Sequence, residues 1–373
     1  MHLGIDASRA SAAQRTGTEA YAYFLIQALL PLAVARGHTV HLYFNQPPPA
    51  GTFPAGPQIQ HHPLPFPRLW THLRLAAHLH RHPPDVFFTP AHVIPFSYHR
   101  PSVATVHDLG YHHFPQAHTR RQAAYLRWST RHNARRARRL LADSQATRQD
   151  LARLYDVDPA KIVVVYPGRD PTLTPITDPA QLATATQRYG LTPPYLLYLG
   201  TLQPRKNLVR LVQAYAASSL PHQLVLAGKT GWLAEPILAA IAALPPEVRA
   251  RIKTPGFVAE TDKAALLSGA TALLYPSLYE GFGFPVLEAQ ACGTPVLCAD
   301  NSSLPEVAGQ AALLHPAGDT AALTTGLRQI ALDEALRARL IPAGLANVQR
   351  FNWEQSAGQS LAVLEVCLER GPS

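Results

Sequence analysis

Cysteine is scarce in this chain of 373 residues: Cys292, Cys298 and Cys367 are all it has. The number is odd and no spacing suits a metal, so neither a disulfide framework nor a zinc module is expected, and a reduced compartment is. Charge is thin as well, at 15% of residues against 47% hydrophobic, which excludes disordered and acidic classes and leaves a globular chain with a real core. No stretch approaches the length of a bilayer span, and the opening "MHLGIDASRA" shows no basic region followed by an apolar run. A cytoplasmic protein is expected, at most peripheral at the inner membrane face. There is no short-period repeat. No G-x-G-x-x-G follows the first strand-like run, which excludes the dinucleotide fingerprint. His78 and His82 stand four apart, but Pro83 breaks the helix and no H-E-x-x-H base is present, so no metal is expected there. Asp156 and Asp158 in "LYDVDPAKIVVVYPG" resemble a metal pair but fall in a helix-to-strand turn, where Asp serves turn chemistry.

Acid is what the first half lacks. Residues 1–172 hold 19 Lys+Arg against 9 Asp+Glu, an excess of +10, and the remainder carries −1. Such a field favours an anionic partner: a nucleic acid, an acidic membrane surface or a phosphorylated substrate. Its densest run, "RRQAAYLRWSTRHNARRARRL", holds Arg120, Arg121, Arg127, Arg131, Arg135, Arg136, Arg138 and Arg139 without one acid. The run reads as a solvated helix face or as a contact for anionic lipid, and its sparse aromatics make nucleic acid the weaker partner.

What is present is an alternation. Short apolar runs closed by Gly, Pro, Asp or Ser recur as "HLGIDAS", "HTVHLYFN", "DVFFTP", "SVATVHD", "RRLLADS" and "KIVVVYPG". The second half repeats the scheme with "YLLYLG", "QLVLAG", "RIKTPGF", "TALLYPS", "TPVLCAD" and "AALLHPAG". Helical patterns between them predict βα units with buried parallel strands, and the length suits two such domains in tandem. The expected boundaries are 1–172 for the first domain, a Pro- and Thr-rich linker with one short helix over 173–193, and 194–352 for the second. The amphipathic tail over 353–373 is expected to return to the first domain. "NQPPPAGTFPAGP" and "HHPLPFPRLW" read as loops.

Three clusters carry chemistry. "EGFGFPVLEAQACGTPV" sets Glu280 and Glu288 around Gly281, Phe282, Gly283 and Phe284, with Pro285 as the first helical residue and Gly293 closing the helix. Loop amides at a helix start suit an anion or sugar hydroxyls, or Glu288 in the first turn only offsets the dipole. "YLGTLQPRKN" places Arg205 and Lys206 after a strand ending at Gly200, with Asn207 as helix N-cap; two cations there suit a diphosphate. "TVHDLGYHHFP" ends a strand of the first domain at His107 and Asp108, either a functional histidine or a capping pair. The first βα connection adds Gly17, where a ligand can approach closely.

Taken in order, these clusters resemble the family 4 retaining glycosyltransferases. The resemblance covers nearly the whole chain and is most specific in the two glutamates with seven residues between them. It implies an α/β chain of GT-B fold, two Rossmann-like doubly wound domains facing across a cleft, the first on the acceptor side and the second binding a nucleotide-sugar donor. It implies transfer of a hexose of mannose or glucose type to a glycan, lipid-linked or small-molecule acceptor, with no cofactor and no metal. Under it Glu288 grips the nucleotide ribose, Glu280 and the loop amides face the sugar, Arg205 and Lys206 clamp the diphosphate, and His107 approaches the reacting carbon. Backbone near Phe257 and Val258 meets the base. Many relatives carry Gly-Gly in the first loop, where this chain has "RTGT" and a single Gly17. The competing readings are a GT-B-fold phosphorylase or epimerase, and a basic two-domain protein that binds nucleic acid or membrane without catalysis.

Overall fold

The computed structural model describes residues 1–12, 15 and 17–369. Internal contacts divide the chain into two units. The first comprises Met1–Leu109, Arg120–Gly168 and the chain from Phe351 on; the second comprises Gly110–Thr119 and Arg169–Arg350.

In the first unit the apolar runs form β1 (His2–Asp6), β2 (Thr39–Phe44), β4 (Val86–Thr89), β5 (Ser102–Val106), β6 (Arg139–Ala142) and β7 (Ile162–Val164), with β3 at Ile59–Pro63. The order is β3-β2-β1-β4-β5-β6-β7, and each neighbouring pair is parallel. β4 and β5 are buried throughout, as strands covered on both faces must be. β3 departs from the expected loop: "IQHHP" is a half-exposed edge strand with little apolar content, so it lacks the signal of its buried neighbours. The arginine run also divides, its helix spanning Arg120–Arg136 while Arg139 opens β6.

The helix Gly17–Ala35 corrects the expectation that nothing approaches a bilayer span, because its 19 residues are long and apolar enough for one. It is instead a core helix. Tyr21, Ala22, Leu25, Ile26, Leu29, Leu30 and Ala33 recur at helical spacing and are buried. The helix Trp353–Glu369 packs against it, with Trp353 stacked on Phe24 at 5.7 Å between ring centroids. Arg36 donates to Glu365 at 2.7 Å and His38 reaches the same carboxylate at 2.8 Å. Residues 370–373 of the expected tail lie outside the described residues.

The second unit contains β8 (Tyr195–Leu199), β9 (Gln223–Ala227), β10 (Ile252–Gly256), β11 (Ala272–Tyr275), β12 (Val296–Ala299) and β13 (Leu313–His315). Their order is β10-β9-β8-β11-β12-β13, all parallel. Residues 173–193 are part of this unit rather than a linker. Their helix Pro179–Arg188 is capped by Asp178, and Arg188 holds both oxygens of Asp262 at 2.8 and 2.7 Å. The one short helix expected here is present, and what the sequence did not disclose is the Arg188–Asp262 tie that joins it to the unit.

Each sheet reverses its strand order once, between β1 and β4 and between β8 and β11. Loops leaving the carboxyl ends of such a pair diverge and open a crevice, the usual ligand position of an open α/β sheet.

Candidate active site

Gly200 follows β8 with φ +149° and Gly228 follows β9 with φ +144°. A Cβ on Gly228 would lie 2.0 Å from the Gly200 carbonyl oxygen, so only glycine lets these strand ends close up. A single 3-10 turn, Pro204–Lys206, then presents two cations at the switch point. Glu280 arrives there on the loop after β11. Its Oε1 accepts from Lys206 Nζ at 2.6 Å and its Oε2 lies 3.0 Å from Arg205 Nη1. Lys206 also donates to the Tyr275 hydroxyl at 2.7 Å, and Arg205 to the Tyr279 carbonyl.

All three charged side chains are nearly buried, at 12%, 9% and 8% exposure for Arg205, Lys206 and Glu280. Burial alone would raise the Glu280 pKa, yet Arg205 and then Lys206 outweigh it and hold the carboxyl at about 2. Glu280 is therefore a fixed anion and no proton donor, and the cluster keeps one net positive charge. Asn207 occupies the expected N-cap position, but its side chain caps nothing. With φ +61° its amide turns away and donates to the Pro276 and Ala317 carbonyls, at 3.0 Å each.

The glycine loop is pinned from the segment after β12. Ser302 Oγ accepts from the Glu280 amide at 2.9 Å, and Ser303 Oγ donates to the carbonyls of Glu280 and Phe282 at 2.9 and 2.7 Å. Gly283, at φ +110°, turns the chain into the helix Phe284–Ala291. Phe284 is its first residue and Pro285 its second, one place later than expected. Gly281 and buried Phe282 precede it, and the first helical carbonyl, that of Gly283, accepts from Val286 at 3.0 Å.

Glu288 is the fifth helical residue and not in the first turn, which removes the dipole-offset reading. It takes Lys263 Nζ at 3.0 Å, and Glu260 takes the same ammonium at 2.7 Å. Burial would lower the Lys263 pKa, but Glu288 and Glu260 raise it above its ordinary value. At the end of β10, Phe257 is exposed and Val258 buried, with the Lys229 ammonium 5.0 Å from the Phe257 ring centroid. Gly200, Arg205, Lys206, Phe257, Val258 and Glu280 thus lie along the carboxyl edge of one sheet.

His107 and Gly17 belong to the first unit. His107 follows β5, with Nδ1 2.7 Å from Asp143 Oδ2 and Nε2 2.9 Å from the Pro90 carbonyl. Two acceptors on two ring nitrogens select the imidazolium. Burial opposes that charge, but Asp143 prevails and the His107 pKa is raised; burial also raises that of Asp143. Asp143, at the end of the neighbouring strand β6, is the carboxylate that holds Nδ1. Gly17 begins the helix Gly17–Ala35 and is exposed. Thr16 of "RTGT" lies outside the described residues.

Sequence reasoning missed Asp143, Lys263, Ser302 and Ser303. Asp143 had a signal, since it ends the run "RRLLADS" just as His107 ends "SVATVHD", and adjacent strand ends meet. Lys263 had none, being one lysine in a helix of mixed character. Among the described residues no group of three or more His, Cys, Asp or Glu is arranged to hold a metal.

Two parallel doubly wound units, the second with a buried cation–carboxylate cluster at its switch point, define the GT-B glycosyltransferase class. The family model for Glycosyltransferase Family 4 matches residues 15–173 and that for Glycosyl transferases group 1 matches residues 185–346, and the chain belongs to the family 4 glycosyltransferases. O-antigen chain mannosyltransferase B of Escherichia coli is 31% identical over 74% of this chain and 73% of its own length. D-inositol 3-phosphate glycosyltransferase of Jonesia denitrificans is 33% identical over 61% of this chain and 56% of that protein. Among solved structures, sucrose-phosphate synthase of Thermosynechococcus elongatus has a TM-score of 0.74 at 21% identity, covering 99% of both chains. Anabaena HepE in complex with UDP and glucose has a TM-score of 0.73 at 20% identity, covering 98% of this chain and 99% of that one. Likeness at those identities is likeness of fold.

Proposed function

We propose that this chain transfers a hexose of mannose or glucose type from a nucleoside-diphosphate sugar to a glycan or lipid-linked acceptor, retaining the anomeric configuration and using no resident metal. The observation that carries the reading is the Arg205–Lys206–Glu280 cluster. Departure of the diphosphate concentrates negative charge on its oxygens as the glycosidic bond breaks. Cations already fixed by Glu280 meet that charge without reorganising, which is how electrostatic stabilisation lowers a barrier. Glu280 in this reading orients the clamp beside the sugar. Glu288 takes the ribose hydroxyls from a position fixed by Lys263, and the backbone at Phe257 and Val258 receives the base. His107 enters as a fixed cation on the sugar side, and the acceptor attacks the face that the leaving group vacates. The mannosyltransferase relative supports a mannose donor, and the complexed HepE structure supports a nucleotide sugar.

The exposed arginines of the helix Arg120–Arg136, with exposed Tyr125 and Trp128 among them, favour a peripheral position on an anionic cytoplasmic membrane face, where a lipid-linked acceptor would be presented. A panel of nucleotide sugars, scored by thermal shift and by slow donor hydrolysis, tests the activity. One donor should stabilise the protein and release its diphosphate, and a chain that responds to none is not a glycosyltransferase of this kind.

A further inference from the structure

The second half of "TVHDLGYHHFP" leaves the first unit. Gly110–Thr119 packs as part of the second unit, although in sequence it joins β5 to the helix Arg120–Arg136. The segment is folded on itself. Phe114 N–H donates to the Gly110 carbonyl at 2.8 Å and Ala117 N–H to the Phe114 carbonyl at 3.0 Å. The buried Tyr111 ring meets those of His112 and His118 at 5.0 and 6.5 Å between centroids. Local bonds and a buried ring make a compact strap of what would otherwise be a loose connection.

The strap is fastened at two points. After β9, the Trp232 indole N–H donates to the Ala117 carbonyl at 2.6 Å, with its ring 6.0 Å from that of His118. After β11, the half-buried His113 lays its ring on Tyr279, 4.7 Å between centroids and 19° from parallel. β9 and β11 are the two neighbours of β8 in the sheet, so the fastenings flank the turn after β8 that carries Arg205 and Lys206.

Tyr279 is 5% exposed, and its backbone is bonded to that turn. Its carbonyl accepts from the Arg205 guanidinium, and the Leu278 N–H donates to the Arg205 carbonyl at 2.9 Å. The next residue is Glu280, whose carboxylate lies 3.0 Å from the same guanidinium. A rotation of the Tyr279 peptide therefore moves one acceptor of Arg205 directly and displaces the other through the chain. The ring separation suits an offset stack, which contributes beyond the area it buries, and the stack resists that rotation.

We propose that His113 is a positioning residue of the donor site: laid on Tyr279, it fixes the peptide that aims Arg205 at the diphosphate. The proposal rests on the glycosyltransferase reading for the ligand and adds to it a residue that the strap supplies. His113 acts through Tyr279 and Arg205.

Two substitutions separate the ring from its bulk. His113→Leu removes the ring and keeps apolar volume, whereas His113→Phe keeps a ring without the nitrogens. In the ligand-free full chain, the Arg205 Nε–H signal in NMR, assigned by its loss in Arg205→Ala, should shift and exchange faster with water in His113→Leu and stay close to wild type in His113→Phe. Calorimetry with GDP and UDP should show binding about tenfold weaker in His113→Leu, the upper weight of one aromatic pair, with His113→Phe near wild type. In an Arg205→Ala background His113→Leu should cost nothing further, because the effect is routed through the guanidinium. A general loosening of the loop would cost the same in both backgrounds and would overturn the proposal. So would a His113→Phe chain as impaired as His113→Leu, or an Arg205 signal unmoved by His113→Leu. The signal needs no ligand: if it responds in a chain that binds neither diphosphate, the positioning of Arg205 stands and the donor reading falls, and if it is unmoved in a chain that binds one tightly, the reverse holds.

Discussion

Replacing Glu280 with Gln removes one negative charge from between two buried cations and keeps the shape. The carboxyl stands at about 2 instead of the ordinary 4.5, which at about 1.4 kcal/mol per pKa unit is about 3 kcal/mol favouring the folded state. Exposure of 8% leaves little solvent to screen it. Breaking a buried ion pair by removing one partner costs about 3–5 kcal/mol, a consistent figure. For a unit of this size the melting temperature should fall by about 10 °C at neutral pH. The pH dependence supplies a second reading of the same charge. Because the folded pKa lies below the unfolded one, the contribution is complete above about pH 4.5 and is lost as the pH falls towards 2. The difference between wild type and Glu280→Gln should shrink across that window, since a protonated Glu280 and a glutamine are alike. Saturating nucleoside diphosphate should recover more stability in the variant than in the wild type, its oxygens replacing the lost carboxylate against Arg205 and Lys206. A variant that melts with the wild type at pH 7, or a deficit that persists unchanged down to pH 2, would refute the electrostatic account.

Arg205→Ala with Lys206→Ala should weaken nucleoside-diphosphate binding by about 3–5 kcal/mol in calorimetry, the loss of two charge-assisted contacts; unchanged affinity would remove the clamp. Glu288→Gln should raise the donor KM and spare kcat, because the ribose does not change in the reaction, and the reverse pattern would place Glu288 on the sugar. Asp143→Asn should lower the His107 pKa, read from its imidazole shifts in NMR, by about 1–3 units, and no downward shift would deny the ion pair. The full chain should sediment with anionic vesicles at low salt and release at high salt, and equal binding to neutral vesicles would leave the arginine helix a solvated face.

The strands that were legible were those buried on both faces, such as "DVFFTP" and "TALLYPS", where apolar density has a single explanation. β3 escaped because it is an edge strand; the short helix Pro179–Arg188 was expected, but its attachment to the second unit through Arg188 and Asp262 was not. At the site, Arg205, Lys206 and Glu280 could be singled out, but their direct pairing could not, since 74 residues separate Lys206 from Glu280 in the chain. The sequence reading gave the glutamate to the sugar and the cations to the phosphate as separate tasks. Only the strand order β8-β11 brings their loops to one crevice. Asn207 failed differently: its position was right and its side chain was claimed by carbonyls that arrive from distant loops.

The helix Trp353–Glu369 bears on the timing of synthesis. It packs on the helix Gly17–Ala35, which is translated well before it. Every residue of the second unit from Arg169 to Arg350 is translated between them. At bacterial-type elongation rates that interval is on the order of ten seconds or more. The apolar face of Phe24 and its neighbours waits uncovered for that period, while the second unit emerges as one nearly continuous stretch. A nascent chain that stops short of Trp353–Glu369 would hold a complete second unit and an unfinished first one, so this helix acts as the closing seal on a unit begun before the second was made.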